Sequence, residues 1–537
     1  MNTLSLTKQA LRYRLVRSVE RKLPPWYIFI PALLVVVGVL LPLIYLGIRA
    51  FQVELEEAAR LIFRYKTGVL LFNTLSLTIA VLIVDLLIAL PLAFLSSRTR
   101  LKPNRLITIL GVLPLALPGY VMAYAYLGLG GLNGLIYGIS GEVFPRISGF
   151  WGSLLVLSLF TYPYLFLNIR TALNGMDPSL EEASRSLGMS AGVTFRKVVM
   201  PQLKPAIYAG SLLVGLHVLG DFGTVSLMRF ETFSYALYLQ YMTAFDRFYA
   251  AWLALILLGI TIGALLLEYR LLKNAIFHKL GSGSIRKRRL YQLGNWKYAA
   301  YFFVGALALL AVILPVSSIG YWIGIGVDQR ILVEVLSSLL DSLTASIPAA
   351  LITPLVVLPL AYLGIRYPSR LSSFVERIAY LGYATPPLAF GLAFAFFALF
   401  LLPFLYQSLA LLVIAYVLHF MAEGLGPVRS ALYQTPPRLE EASYSLGAST
   451  RKTFINITLP LLRGGMMASA VFVFLSAMKE LSLTFLLSPT GFGTLAVNMW
   501  SYASEAMFAE AAPFALALLV FSSLFVGFLF NKDQNRN

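Results

Sequence analysis

The chain contains no cysteine, and that one absence removes disulfide bonds, thiolate metal sites and cysteine nucleophiles together. Charge is scarce too. Asp, Glu, Lys and Arg make up 12% of the residues against 59% hydrophobic ones, an excess that a soluble chain of 537 residues would not need for its core. Histidine occurs three times, and neither His217, one turn from Asp221, nor His419 stands at a spacing that builds a metal cage. Packed or cavity-lining roles are expected for both. No Gly-x-x-x-x-Gly-Lys-Ser/Thr phosphate loop is present, so the chain cannot hydrolyse ATP by that route. Nor is there a Ser-His-Asp frame or a soluble cleft of paired carboxylates, and the chain is expected not to be an enzyme.

What the chain has is long apolar runs. About twelve reach the roughly 20 residues that a helix needs to cross about 30 Å of hydrocarbon. In the first half they fall near Trp26 to Ile48, Gly68 to Ser96, Leu106 to Leu129, Phe150 to Asn168, Pro205 to Val225 and Phe248 to Leu267. In the second they fall near Tyr298 to Ile323, Leu339 to Ile365, Ile378 to Leu402, Ser408 to Leu425, Gly464 to Leu487 and Ala511 to Phe530. The runs do not alternate, which excludes barrel strands, and an open strand edge in lipid would leave backbone groups unpaired. The expected fold is therefore an all-α integral membrane protein. The first run is too long for a signal-peptide core and no small-x-small site follows it, so it reads as a retained helix.

The halves repeat each other. Twelve of 25 aligned positions are identical between the stretch opening Glu181-Glu182-Ala-Ser-Arg-Ser-Leu-Gly188 and the one opening Glu440-Glu441-Ala-Ser-Tyr-Ser-Leu-Gly447, 259 positions apart (440 minus 181). In the spans, Leu90-Pro91-Leu-Ala-Phe-Leu95 matches Leu358-Pro359-Leu-Ala-Tyr-Leu363 and Pro118 matches Pro386, at an offset of 268 (386 minus 118). Six spans per half restore the starting side, which predicts parallel repeats with a path between them. The expected domains are residues 1–268 and 298–537, with polar loops at about 170–204 and 429–463. A linker containing Gly281-Ser-Gly-Ser284 and a basic run joins them across 269–297.

Lys and Arg near spans mark the cytoplasmic side. The clusters are Lys8 to Lys22, Arg98 to Arg105, Arg270 to Lys297, and Arg366 with Arg370. With twelve spans these share one side, which carries both termini and both polar loops. Arg60, Arg64 and Lys66 fall on the other side, accompanied by Glu54, Glu56 and Glu57. The net charge of +18 is thereby accounted for by topology and anionic lipid headgroups, and nucleic acid is not an expected partner.

Each polar loop carries helix signals. Asp177 can cap a helix starting at Pro178, and Thr435 can do the same ahead of Pro436. Gly188 and Gly447 stop these helices; Ser190 and Ser449 can cap a second short helix that Pro201 or Pro460 ends.

The duplicated Glu-Glu-Ala-Ser-x-Ser-Leu-Gly core resembles the signature loop of ABC importer permeases. In that family the loop forms a coupling helix that docks into a cleft of a separate ATPase. The resemblance covers nearly the whole chain. It implies a type I importer permease fold in the bacterial inner membrane, with ATPase contacts at Glu181, Glu182, Ala183 and Gly188 and at Glu440, Glu441, Ala442 and Gly447. It also implies two copies of a cytoplasmic ATPase, which consume the ATP, an external substrate-binding protein, and no cofactor in this chain. Pro118-Gly-Tyr-Val-Met-Ala-Tyr124, Gly220-Asp-Phe-Gly-Thr-Val225 and Lys479-Glu-Leu-Ser-Leu-Thr-Phe-Leu-Leu487 look like the ferric iron branch. Ser482-Leu483-Thr484 departs from the Pro-Ala-Thr expected there, and permeases for thiamine or aminoalkylphosphonates share much of this frame. A rival of another class is a proton-coupled carrier, which would need no ATPase and no matched loops.

Asp221 and Glu480 occupy equivalent positions after their loops, again 259 apart (480 minus 221). An acid in a span is costly and usually faces a cavity or partner. With Tyr120, Tyr124 and Tyr126 these carboxylates could line a path for a hard trivalent cation, or else Asp221 could cap a helix break before Gly223 and Glu480 pair with a neighbour. Asp85 has Thr353 as its counterpart, which argues for a buried, hydrogen-bonded carboxyl rather than a symmetric function.

Overall fold

The computed structural model describes residues 24–273 and 290–534, apart from Val53 and Phe245. The basic cluster Lys8 to Lys22 and the linker motifs Gly281-Ser-Gly-Ser284 and Arg286 to Arg289 lie outside the described residues.

In chain order the helices used below are α1 (Trp26–Ala50), α2 (Tyr65–Arg98), α3 (Asn104–Leu110), α4 (Gly119–Leu127) and α5 (Gly149–Gly175). There follow α6 (Pro178–Ser186), α7 (Ala191–Gly220), α8 (Gly223–Leu227) and α9 (Arg247–Lys273). The second half supplies α10 (Trp296–Ile325), α11 (Gln329–Arg366), α12 (Arg370–Ala384), α13 (Pro387–Leu401) and α14 (Leu409–Gln434). It ends with α15 (Pro437–Ser445), α16 (Thr450–Met478), α17 (Ser482–Leu487), α18 (Leu495–Ser504) and α19 (Phe508–Gln534). No β-strand occurs among the described residues.

Nine of these helices are individually long and apolar enough to cross a membrane, and two broken pairs raise the count to as many as 11. The twelfth expected span falls in α19, whose described apolar part, Phe508–Ser523, is shorter. The helix α2 illustrates how such a helix is sorted by its solvent. Ile79, Ile83 and Leu87, four residues apart, form an exposed apolar face, while Leu77, Val81, Asp85, Ala89 and Leu92 are buried. Apolar outside and polar inside is the pattern of a helix whose solvent is lipid. Thr161 of α5 donates to the buried Asp85 Oδ2 at 2.7 Å, so Asp85 is the hydrogen-bonded carboxyl that its lack of a counterpart suggests.

The third and ninth expected spans are not straight. In the third, Leu117 takes an extended backbone ahead of Pro118 and the chain bends by 92° before α4. The ninth breaks at Pro386, between α12 and α13. A proline disfavours helical dihedrals in the residue before it and offers no N–H, which is why both breaks coincide with a proline. The fifth and eleventh spans also end early, at Gly220 and Met478, and short helices follow.

Two compact units contain these helices. One comprises the described residues up to Leu41 with Ser346–Tyr383 and Tyr416–Phe474. Within it α14 and α16 approach closely at Gly465, where a Cβ would lie 2.6 Å from the Ala431 Cβ. The other comprises Pro42–Ala345, Ala384–Ala415 and the described residues from Leu475. The first polar loop belongs to this second unit and the second polar loop to the first. The units therefore interleave segments of the two sequence halves.

Candidate functional site

Each polar loop folds as a short helix, a glycine corner and a second helix. Asp177 accepts from the Ser179 N–H at 2.9 Å and so caps α6, with Pro178 in the first turn where its missing N–H costs nothing. The α15 cap differs from expectation. Pro436 precedes the helix, and the buried Thr435 instead donates to the Ala431 carbonyl at 3.0 Å, back in the preceding helix.

Both corners require glycine. Gly188 has φ 83° and Gly447 φ 82°, the left-handed region that a Cβ penalises. In the first, the Gly188 N–H reaches the Arg185 carbonyl at 3.0 Å and Met189 N–H that of Ser184 at 3.2 Å. Gly447 to Tyr444 at 2.9 Å and Ala448 to Ser443 at 3.1 Å repeat the motif. This double bond pattern satisfies carbonyls that a helix end would otherwise orphan. Across each corner a hydroxyl pair ties the two helices together, Ser184 with Thr194 at 2.9 Å and Ser443 with Thr453 at 2.8 Å.

The second short helices do not stop at Pro201 and Pro460. Each passes through a widened turn, Phe195–Val199 or Phe454–Thr458, and continues into the long helix. Met200 N–H bonds back to the Phe195 carbonyl and Leu459 N–H to that of Phe454, five residues earlier. Widening the turn just ahead of the proline accommodates a residue that cannot donate, so the helix survives it. Ser449 caps its helix through the Lys452 N–H at 3.3 Å, whereas Ser190 makes no such bond.

The paired glutamates divide by direction. Glu182, Ala183, Glu441 and Ala442 are exposed, as are both corner glycines. Glu181 and Glu440 are buried, and each meets the last turn of a long helix. Arg98 at the end of α2 approaches Glu181 Oε1 at 2.8 Å; Arg366 at the end of α11 approaches Glu440 Oε1 at 3.5 Å. Tyr362 Oη donates to Glu440 at 2.6 Å and Thr458 Oγ1 at 3.1 Å. For Glu181 the phenol comes from Tyr291, whose Oη donates to Oε2 at 3.3 Å. Burial, then the Glu181 charge, pushes the Tyr291 phenol above its ordinary value, so it stays a donor. The repeat offset could have exposed these arginines: 98 plus 268 is 366. Their role was hidden because basic residues beside spans are already explained by topology.

The candidate path residues gather elsewhere in the second unit. Asp221, in the break between α7 and α8, accepts from the Thr224 N–H and Thr224 Oγ1, both at 2.9 Å, and from the Val225 N–H at 3.2 Å. Glu480, between α16 and α17, accepts from the Leu483 N–H at 2.9 Å. The two acids cap the short helices that follow them, the alternative that the sequence left open for Asp221. Tyr120 Oη donates to the Lys479 carbonyl at 3.0 Å, Tyr124 Oη to that of Phe508 at 2.7 Å and Tyr126 Oη to that of Leu310 at 2.7 Å. At Gly223 a Cβ would stand 2.8 Å from the Tyr120 Cβ and 2.9 Å from Leu481, so the α8 backbone approaches both the first break and the Glu480 break. Phe222, Tyr238, Phe485 and Trp500 cluster beside these caps, and Trp500 Nε1 donates to Ser226 Oγ at 3.0 Å. His217 bonds Tyr164 Oη at 2.9 Å, and His419 packs against Tyr383 and Phe420. No group of three or more His, Asp or Glu side chains that could hold a metal ion occurs among the described residues.

Residues 86–276 and 358–534 each match the family described as "Binding-protein-dependent transport system inner membrane component". The chain belongs to that family. Both matches contain one helix–corner–helix loop, so the duplication extends to the whole permease unit. The chain is 32% identical over 513 residues to the Fe(3+)-transport system permease protein FbpB 2 of Haemophilus influenzae, covering 95% of this chain and 98% of that protein. A putative ferric transport system permease protein, FbpB 1, of the same organism is 24% identical over 76% of this chain and 68% of its own length. A probable molybdenum ABC transporter permease of Haloferax volcanii is 30% identical over 48% of this chain and 95% of its own. As a permease of this family, the chain is a multi-pass membrane component of a binding-protein-dependent importer.

Proposed function

We propose that this permease imports ferric iron delivered by an external binding protein, and that two copies of a separate ATPase drive it through α6 and α15. The observation that carries the ATPase reading is the matched exposure of the two loops. Glu182 and Glu441 are exposed on the same turn, and Leu187 and Leu446 are 79% and 88% exposed beside the corner glycines. Leu180 and Leu439 add a second apolar position to each helix. A charged turn flanked by exposed leucines, built twice from the same residues, suits two identical partner clefts. On this reading the loops and both termini face the cytoplasm and the partner subunits hydrolyse the ATP. Ala183 and Ala442 allow close approach, and Gly188 and Gly447 set the angle of each docking helix.

Iron is supported by the relative that matches 95% of the chain, an Fe(3+)-transport system permease protein. The molybdenum relative matches only half of it. We assign the acids at the breaks no metal-ligand role: Asp221 is committed to a helix cap by three bonds, and Tyr120 and Tyr124 hold neighbouring backbone. They shape the walls of the path instead. The test is ATP-dependent uptake of radiolabelled ferric iron into proteoliposomes holding the chain, its ATPase and its binding protein. Molybdate, thiamine and an aminoalkylphosphonate run in parallel. Iron uptake that needs ATP supports both parts; ATP-driven uptake of another solute without iron overturns the substrate and keeps the mechanism. Uptake driven by a proton gradient alone would overturn the ATPase reading.

A further inference from the structure

The two buried glutamates are held by equivalent arginines but by phenols from different parts of the chain. At the second loop the phenol is Tyr362, four residues before Arg366 in the same helix. Its counterpart in the first half, 268 positions earlier (362 minus 268), is Phe94, which has no hydroxyl. The surroundings are otherwise alike: Phe94 packs on Phe195 with ring centroids 5.7 Å apart, and Tyr362 on Phe454 at 6.4 Å. In its place stands Tyr291, near the end of the inter-half segment. Its main chain is fastened to the end of α2: the Tyr291 N–H bonds the Arg98 carbonyl at 2.8 Å and the Arg100 N–H bonds that of Tyr291 at 3.2 Å. Its ring lies 5.8 Å from that of Phe94 and under the Arg185 guanidinium at 5.7 Å. Tyr291 thus touches the helix that ends at Arg98, the carboxylate of α6 and a second residue of α6.

We propose that Tyr291 is a positioning residue, a clasp by which the chain between the halves fastens the first coupling helix to α2, replacing the hydroxyl that Phe94 lacks. The role in transport rests on the ATPase reading above; the clasp itself does not. With Arg98 and Tyr291 both engaged, α6 and the end of α2 move as one body, so a displacement imposed on α6 is transmitted along α2 instead of being absorbed in the loop. The second coupling helix obtains the same joint from Arg366 and Tyr362 inside one helix and is independent of Tyr291.

The cysteine-free chain permits a direct test. A nitroxide is placed on Ser186→Cys at the end of α6, or on Ser445→Cys at the end of α15, both exposed positions, in the full chain in lipid nanodiscs. Tyr291→Phe removes one hydroxyl and keeps the ring. It is expected to raise the mobile fraction at position 186 by roughly threefold to tenfold, the range set by one hydrogen bond of ordinary net strength, and to leave position 445 unchanged. Adding Phe94→Tyr restores the hydroxyl from the α2 side and is expected to return position 186 to its original state. In proteoliposomes with the ATPase, iron transported per ATP hydrolysed falls in Tyr291→Phe and recovers in the double variant, while ATPase binding persists. Equal loosening at both labels, no loosening, or no recovery with Phe94→Tyr overturns the proposal. If the unsubstituted chain shows no ATP-driven uptake, the ATPase reading fails while the label result still decides the clasp.

Discussion

Arg98 and Glu181 meet at 2.8 Å with both side chains nearly fully buried, joining the last turn of α2 to the first turn of α6. A buried pair of this kind is a weak source of net stability but is expensive to break by halves. Arg98→Met leaves Glu181 buried beside the Tyr291 hydroxyl without its arginine, and is expected to cost about 3–5 kcal/mol. Arg98→Met with Glu181→Leu removes both charges and should recover most of that loss. Denaturant unfolding of the four members of the cycle in detergent measures the coupling. The equivalent Arg366→Met should cost less, because Glu440 keeps Tyr362 at 2.6 Å and Thr458 at 3.1 Å.

The corner glycines give a prediction of a different kind. A Cβ at Gly188 or Gly447 would meet nothing within 4 Å, so the cost of alanine is conformational and not steric. At φ 83° and 82° it amounts to about 1–2 kcal/mol at each corner. Asparagine, which tolerates this region, should cost less. Hydrogen exchange of the Met189 and Ala448 amides, which close the two corners, is expected to speed up by roughly tenfold in each alanine variant and much less in each asparagine variant.

Asp221 separates two roles for an intramembrane acid. As a cap it uses its oxygens as acceptors from Thr224 and Val225, and an amide oxygen can still accept those bonds. Asp221→Asn should therefore keep the fold and retain most of the uptake. Asp221→Ala loses the cap and should destabilise the break by about 0.5–2 kcal/mol. Complete loss of iron uptake in a well-folded Asp221→Asn variant would instead make the negative charge itself essential and return Asp221 to the path as a cation ligand. Uptake and thermal unfolding measured on the same preparations distinguish these outcomes.

How much of this was legible in the sequence depended on whether a residue's role was local. The glycine corners, the Asp177 cap and the helical character of each span follow from residues within a few positions of one another, and the duplicated loop declared itself by identity alone. The bends at Pro118 and Pro386 were less legible, since an apolar run reads the same whether straight or folded back. The persistence of α7 through Pro201 was hidden because it depends on a widened turn that no propensity encodes. Least legible was the partnership of Tyr291 with Glu181, 110 positions apart, because the repeat offset leads to Phe94 and gives no hint that a hydroxyl arrives from elsewhere.

The division between buried and exposed glutamates leads to the sharpest test of the two polar loops. If the loops dock an ATPase, the exposed members carry the contact and the buried ones carry the fold. Glu182→Ala and Glu441→Ala should leave unfolding unchanged, since both side chains are exposed. Leu446 is 88% exposed, and burying a leucine in a partner cleft contributes about 1.5–3 kcal/mol. Leu446→Asp should thus weaken binding of the ATPase by roughly 10-fold to 100-fold without altering the permease. Leu187→Asp should do the same at the other loop, and on the two-cleft reading the two losses are independent. Titration of fluorescent ATPase against permease in nanodiscs would register this as two sites, one weakened by each single substitution and both by the pair. Unchanged binding in the pair would mean that the leucines face lipid headgroups and that the partner, if there is one, docks elsewhere.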